Sequence, residues 1–398
     1  MNRITATLLC LVLCLAGASI PTASAASLSA IGNTDIDTAV HGIYGPGIGA
    51  DGLANTQIGG PDGTPGRTLS VRFRASTTSA LTSIRFYKQG NPGYAGGTGG
   101  SLNVSIQGDD GTSGHLPNGG VLASQTVVCA YAGPEPGKLV TFSHPATLVT
   151  GNLYHVVFVN ADPDPRANYV SFNSAYVAIA TTPRQPLYSD TDWALLFRDT
   201  GYNWKVRPEY TPILSLAYAN GRTAGMGYME RCYPDYSVDG AARMRETFTV
   251  TDGDHTVSTI GVRLRRVTGT GNLTLTVETS SGSVVGSTTI PASSIATGKY
   301  SSWVTATFAA PFKLTKASTY NFVLTSSAGT IYKVLPFRKG VEYAQPTGSY
   351  FKDGHAQQSS NGSSWADVSG DAGEYDLEFY FNNVTSVSRD PGPAPAGV

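Results

Sequence analysis

Apolar and polar residues alternate over short runs along most of the chain. Ile84 and Phe86 mark one such run, and Leu102, Val104 and Ile106 another. Ile260 and Val262, then Leu273, Leu275 and Val277, mark two more. A period of two is the signature of a strand with one buried face. Gly, Ser, Asn and Pro separate the runs, and no long helical periodicity follows the first 25 residues. The pattern predicts an all-β chain of short strands.

The runs also recur in the same order. Phe142, Pro145, Leu148 and Tyr154 stand at spacings of three, three and six, and so do Phe308, Pro311, Leu314 and Tyr320. Around these anchors, 81–86 corresponds to 257–262, 101–106 to 272–277, 121–127 to 284–290, and 153–158 to 319–324. A unit used twice predicts two tandem, internally repeated, jelly-roll-like β-sandwiches. The first copy has extra residues around 90–100 and 129–137. A sandwich places such insertions in end loops, where binding function usually sits.

Arg3, the apolar stretch 4–20 and the small residues Ala23 and Ala25 predict a signal peptide over 1–25, hence a secreted protein. No other apolar run is long enough for membrane insertion. The expected plan is a first sandwich over 26–181 and an aromatic-rich inter-repeat segment over 182–240, packing on the sandwiches. A second sandwich follows over 241–384, then a Pro-rich disordered tail over 385–398. Cys10 and Cys14 fall in the leader. The mature chain keeps Cys129 and Cys232, which an oxidising compartment allows to form one disulfide.

Charged residues make up 14% of the chain, against roughly 25% in an average soluble protein. The net charge is −1 and no Lys/Arg cluster stands out. This argues against nucleic acid as a partner and against polybasic attachment to membranes.

The segment 182–240 interleaves Trp193, Trp204, Tyr210 and Tyr228 with Asp192, Arg198 and Arg207. Aromatic faces suit the C–H face of a sugar ring, and charged groups read hydroxyls through hydrogen bonds. These seven residues are therefore the candidate glycan site. The same composition also suits an inter-domain core. Asp35/Asp37, Asp162/Asp164, Asp190/Asp192 and Asp252/Asp254 could hold a structural calcium or serve as solvated turns. No other cofactor is expected. The histidines show no metal-binding spacing. His155 aligns with Asn321 and His144 with Ala310, so both read as structural. Glu209 and Glu230 are available for hydrolysis, but no spacing selects a catalytic pair. The chain lacks the Gly-x-Ser-x-Gly elbow of esterases.

Two local resemblances add expectations. The run from Tyr350 to Gln358 resembles the Tyr-Phe-Lys-x-Gly strand of jelly-roll alginate lyases. That resemblance implies Tyr350 as acid/base, with Lys352 and Gln358 nearby. The chain departs from the family at Ala356, where the motif has its second Tyr, and it lacks the family's Gln-Ile-His motif and Arg-rich strand. The run 359–365, with its Asn361-Gly362 turn and Trp365, is similar to the closing hairpin of non-catalytic β-sandwich modules in secreted bacterial proteins. It implies a Trp365 that caps the core, and an accessory role in sugar binding, adhesion or spacing. The leading expectation is a glycan- or polysaccharide-binding protein. The alternatives are a polysaccharide lyase or glycoside hydrolase with its site between the sandwiches, and a structural surface or appendage protein.

Overall fold

The computed structural model describes residues 52–60, 66–88, 99–129, 137–176, 191–225, 229–231, 235–250, 254–299, 301–339, 354–368 and 375–381. The predicted signal peptide over 1–25 and the predicted tail over 385–398 lie outside them. In chain order the first thirteen strands are β1 Gly52–Ile58, β2 Thr68–Arg74, β3 Ser79–Phe86, β4 Ser101–Asp109, β5 Pro117–Val128, β6 Lys138–Leu148, β7 Leu153–Asn160, β8 Val170–Tyr176, β9 Trp193–Arg198, β10 Lys205–Val206, β11 Tyr210–Pro212, β12 Leu214–Tyr218 and β13 Thr223–Gly225. The rest are β14 Met229–Arg231, β15 Tyr236–Val238, β16 Arg243–Thr249, β17 His255–Thr268, β18 Leu273–Thr279, β19 Val284–Ile290, β20 Ser302–Leu314, β21 Thr319–Ser326, β22 Ile331–Val334, β23 Phe337–Lys339, β24 Gly354–Ser359, β25 Ala366–Asp367 and β26 Phe379–Phe381. Among the described residues the chain is all-β, with no α-helix and with a short 3-10 turn at Ala292–Ser294.

In the first sandwich a six-stranded sheet, β10-β9-β2-β7-β4-β5, encloses a core with a four-stranded sheet, β13-β12-β3-β6, and a three-stranded sheet, β1-β8-β11. In the second, a six-stranded sheet, β19-β18-β21-β16-β24-β25, faces a five-stranded sheet of β15-β22-β17-β20 with β26 also on β17. All named pairings are antiparallel. Alternation sets the cores. Leu69, Val71 and Phe73 of β2 point in, as do Leu273, Leu275 and Val277 of β18.

The pairing explains the anchor residues. Tyr154 lies opposite Phe73, and Tyr320 opposite Phe248, with ring centroids 6.1 and 5.9 Å apart. Each tyrosine hydroxyl accepts a hydrogen bond from a backbone N–H five residues earlier, Val149 N or Thr315 N, at 3.0 Å in both cases. The β3–β6 ladder skips from Ser83–Thr141 to Leu81–Ala146, and the β17–β20 ladder from Thr259–Thr307 to Val257–Phe312. Pro145 and Pro311 therefore sit in wide bulges, where a missing N–H breaks no ladder bond.

Residues 191–225 supply strands to the sheets of the first sandwich. β9 pairs with β2 in the six-stranded sheet, and β12 pairs with β3 across the core. The pairing also supplies a counterpart the sequence comparison lacked. β9 and β10 hold the place in the first sheet that β24 and β25 hold in the second. The hairpin registers are Phe197–Lys205 and Gln358–Ala366, so Gly201 corresponds to Gly362 and Trp204 to Trp365. Both glycines have positive φ, +81° and +76°, which suits a tight edge turn.

The two sandwiches share packing. Trp303, Leu335 and Tyr380 of the second belong to the core cluster of the first. Trp303 and Tyr380 lie 5.2 Å apart, and Gly261 keeps the strand flat beneath the Tyr380 ring. Arg263 and Glu378 form a fully buried ion pair at 3.1 Å on this same outward face of β17 and β26. Inside the second core Glu246 is also fully buried and accepts a hydrogen bond from Leu377 N at 2.9 Å. Burial, then the neighbouring Asp376 carboxyl, pushes the Glu246 carboxyl well above its usual range.

Candidate functional site

The predicted aromatic site divides between core and rim. Trp193 is 5% exposed, and its Nε1 donates to Pro212 O at 3.0 Å. Alternation along β9 turns Trp193, Leu195 and Phe197 inward, so Trp193 offers no face to a sugar. Asp192 is buried and ion-paired with Arg74 at 2.6 Å. Arg207 stacks on Phe197 and Tyr210, at 4.4 and 5.4 Å from the ring centroids, and lies 3.6 Å from Glu209. Arg198 and Trp204 face outward on the β9–β10 hairpin, with the guanidinium 4.8 Å from the indole centroid. Tyr228, Tyr350, Lys352 and Cys232 lie outside the described residues, as does the side chain of Glu230. Gln358 sits in the second sandwich on β24, and Glu209 in the first. Cys129 is buried just after β5.

The counterpart hairpin carries a more complete polar set. Trp365 is half-buried under Arg245, whose guanidinium lies 4.3 Å from the indole centroid. The residue does not cap the core. Arg245 and Gln357 are directly paired on adjacent strands, and the β24–β25 register adds Asp367 to the row. Arg245 donates to Gln357 Oε1 at 2.8 and 2.6 Å, and Gln357 Nε2 donates to Asp367 Oδ1 at 2.8 Å. His355 Nε2 lies 3.4 Å from the same carboxylate oxygen. The row sets an aromatic ring, a guanidinium, an amide, a carboxylate and an imidazole side by side on one sheet face.

A second cluster, absent from the sequence expectations, occupies the outward face of the first six-stranded sheet. Ser70 and Arg72 of β2, and His155 of β7, are buried there. The loop 109–116 folds over them. Arg72 holds it by donating to the Gly114 and His115 carbonyls at 3.0 and 2.9 Å, and to Thr191 O at 2.8 Å. His115 has φ of +49°, which is uncommon for a non-glycine residue. Its Nδ1 is 3.2 Å from Asp109 Oδ1, while His155 Nε2 is 3.4 Å from Asp109 Oδ2. Ser70 Oγ lies 3.0 Å from His155 Nδ1.

Ser70, His155 and Asp109 have the residue types of a hydrolytic triad. Ser70 and His155 are both 0% exposed, so the serine has no access to a substrate and the line is structural. Burial pushes the His155 imidazole down to about 4, against the raising effect of Asp109. His155 is therefore neutral at pH 7. With Nε2–H donating to Asp109, Nδ1 accepts from the Ser70 hydroxyl. In the unfolded chain the imidazole binds a proton near pH 6.5. Stability that is fully present above pH 6.5 is then lost as the pH falls towards 4, by about 3 kcal/mol in total. Chemical denaturation between pH 7.5 and 4 is expected to show this loss. His155→Asn, which installs the residue of the equivalent position Asn321, is expected to reduce it. An unchanged pH profile in that variant would contradict the assignment.

The extra length of this loop is visible in the sequence. The stretch between the two runs is 107–120 in the first copy and only 278–283 in the second.

Asp162, Asp164, Asp192 and Asp254 of the Asp-x-Asp pairs are engaged by protein groups, while Asp35, Asp37, Asp190 and Asp252 lie outside the described residues. Asp162 Oδ1 accepts from Asp164 N and Asn168 Nδ2, both at 3.0 Å, and Asp254 Oδ1 accepts from Lys316 N at 2.8 Å. Among the described residues no group of three or more His, Cys, Asp or Glu is placed to hold a metal ion, and no helix is long and apolar enough to cross a membrane.

No family model matches the chain, and no curated protein matches it. Among solved structures, an Arthrobacter globiformis T6 isomalto-dextranase complexed with panose is similar over 71% of this chain, at 11% identity and a TM-score of 0.15. This chain covers 36% of the length of that protein. The VP2 subviral particle of infectious bursal disease virus is similar over 75% of each chain, at 12% identity and a TM-score of 0.14. Likeness at that level carries no argument about activity.

Proposed function

We propose that this is a secreted, non-catalytic glycan-binding protein whose main contact surface is the outward row of the second sandwich around Trp365. One observation supports the reading. The Trp365 indole stands beside Arg245, Gln357, Asp367 and His355 on a single sheet face. An aromatic ring supplies apolar contact with a sugar's C–H face, and hydroxyls exchange with the amide and carboxylate through charge-assisted hydrogen bonds. Arg198 and Trp204 give the first sandwich a simpler version of the same hairpin. The contributions of Trp193 and Asp192 are indirect, through the core and the Arg74 ion pair.

A glycan array probed with the mature protein tests the reading. Binding to a subset of polysaccharides is expected, weakened about tenfold or more by Trp365→Ala, in line with about 1.4 kcal/mol per decade of affinity. Gln357→Ala is expected to weaken it less. Unaltered binding by both variants, or release of new reducing ends from the bound polysaccharide, would overturn it.

A further inference from the structure

We infer that the first sandwich holds a separate site for a neutral mono- or disaccharide, in the pocket between the loop 109–116 and the β6–β7 turn. The pocket has a volume of about 410 Å³ and is lined by Arg74, Gly108, Asp109, Gly151, Asn152 and Tyr154 among others. Small-ligand sites span roughly 300–1,000 Å³, so this one suits a mono- or disaccharide rather than an extended chain.

Its walls are built to meet hydroxyl groups. Gly111 and Gly151, with φ of +72° and +81°, have no heavy atom within 4 Å of where a Cβ would stand. A ligand can thus approach the backbone closely on both sides. Asn152 is exposed at the rim, and its side-chain amide can both donate and accept. Asp109 is held from behind. Gly111 N donates to Oδ1 at 2.8 Å, and the two imidazoles flank the carboxylate. Burial raises the Asp109 carboxyl, but the hydrogen bonds from Gly111, His115 and His155 outweigh it and leave the group below its usual value. It is an ionised acceptor with a fixed orientation. With Oδ1 meeting both Gly111 N and His115 Nδ1, and Oδ2 meeting only His155 Nε2, Oδ2 keeps a lone pair for one sugar hydroxyl.

Charge balance selects the class. Arg74 is neutralised by Asp192 at 2.6 Å, and it also donates to Gly151 O at 2.6 Å. Arg72 lies behind the same wall, close enough to Asp109 and Asp192 for their charges to act on it. The two arginines offset Asp109 and Asp192, and the exposed Asp110 of the same loop leaves no surplus of positive charge. A phosphate would meet no net opposite charge here, whereas a neutral polyol needs none.

The site belongs to the first copy alone. Thr279 holds the register position opposite Tyr320 that Gly108 holds opposite Tyr154, and only four residues then separate β18 from β19. The sugar identity rests on the glycan-binding reading above, while the location of the pocket does not.

Titration calorimetry of the mature protein with neutral hexoses and their disaccharides tests the inference. At least one is expected to bind. Asn152→Ala and Asp109→Asn are each expected to weaken it tenfold or more, and Trp365→Ala to leave it unchanged. Should Asp109→Asn disturb the loop, Asn152→Ala decides, because its side chain is exposed. Binding that survives Asn152→Ala and is lost in Trp365→Ala overturns the separate site. Array binding sensitive to Trp365→Ala, with no small sugar bound, overturns the inference and leaves the function proposed above intact. Absence of both overturns both.

Discussion

Trp193→Ala is expected to destabilise the first sandwich by about 3–5 kcal/mol, the usual range for removing a buried tryptophan. The indole is 5% exposed and joins the core cluster with Phe73, directly opposite on β2. Its Nε1–H satisfies Pro212 O at 3.0 Å, so the truncation also orphans a carbonyl. The fit is tight. A Cβ added at Gly225 would lie 2.9 Å from the ring's Cη2. Trp204→Ala is the control. That ring is half-buried on the rim, and losing its contact with Arg198 is expected to cost about 0.5–1 kcal/mol. Urea unfolding of the two variants provides the comparison. A Trp193→Ala protein as stable as the parent, yet unable to bind glycan, would restore Trp193 as a ligand residue.

Arg263→Ala is expected to cost about 3–5 kcal/mol, since it leaves the Glu378 carboxylate buried without its ion-pair partner. Both side chains are fully buried, 3.1 Å apart, and Arg263 also donates to Ser301 O at 3.3 Å. They lie on the outward face of the sheet that carries Trp303 and Tyr380 into the first core, so the loss falls where the sandwiches meet. Replacing both residues together, Arg263→Met with Glu378→Leu, is expected to be far milder than either single change, because no charge is then stranded. A double-mutant cycle of unfolding free energies measures this. Additive single costs would show that the two side chains do not act as a pair.

The strand content was legible because alternation is local. Ile84, Phe86, Leu102, Val104 and Ile106 are all 0% exposed. The recurring Phe–Pro–Leu–Tyr spacing was legible too, and its cause is now physical. Each tyrosine closes the turn before it, and each proline sits in a bulge. The partner of the Trp365 hairpin is hidden in the sequence because Asp199, Thr200, Tyr202 and Asn203 share no identity with Ser360, Asn361, Ser363 and Ser364. Only Gly and Trp are common to the two turns, and only strand pairing makes them equivalent. The orientation of Trp193 is not legible in the sequence for a related reason. Composition shows an aromatic residue among charges, but which way it points depends on the phase of β9 against β2.

By itself the sequence determined the class of fold, the order of the strands within the two recurring runs, and the residues that shape their turns. These depend on period-two burial and on conformational preferences that act within a few residues. Tertiary structure alone decided that β9 completes the first six-stranded sheet, that Trp193 faces inward while Trp365 faces out, and that Asp109, His115 and His155 meet across one loop. It also decided that Arg263 and Glu378, 115 residues apart, share one buried site. Such outcomes depend on which strands become neighbours and in what register, and a one-residue slip turns every side chain of a strand to the opposite face.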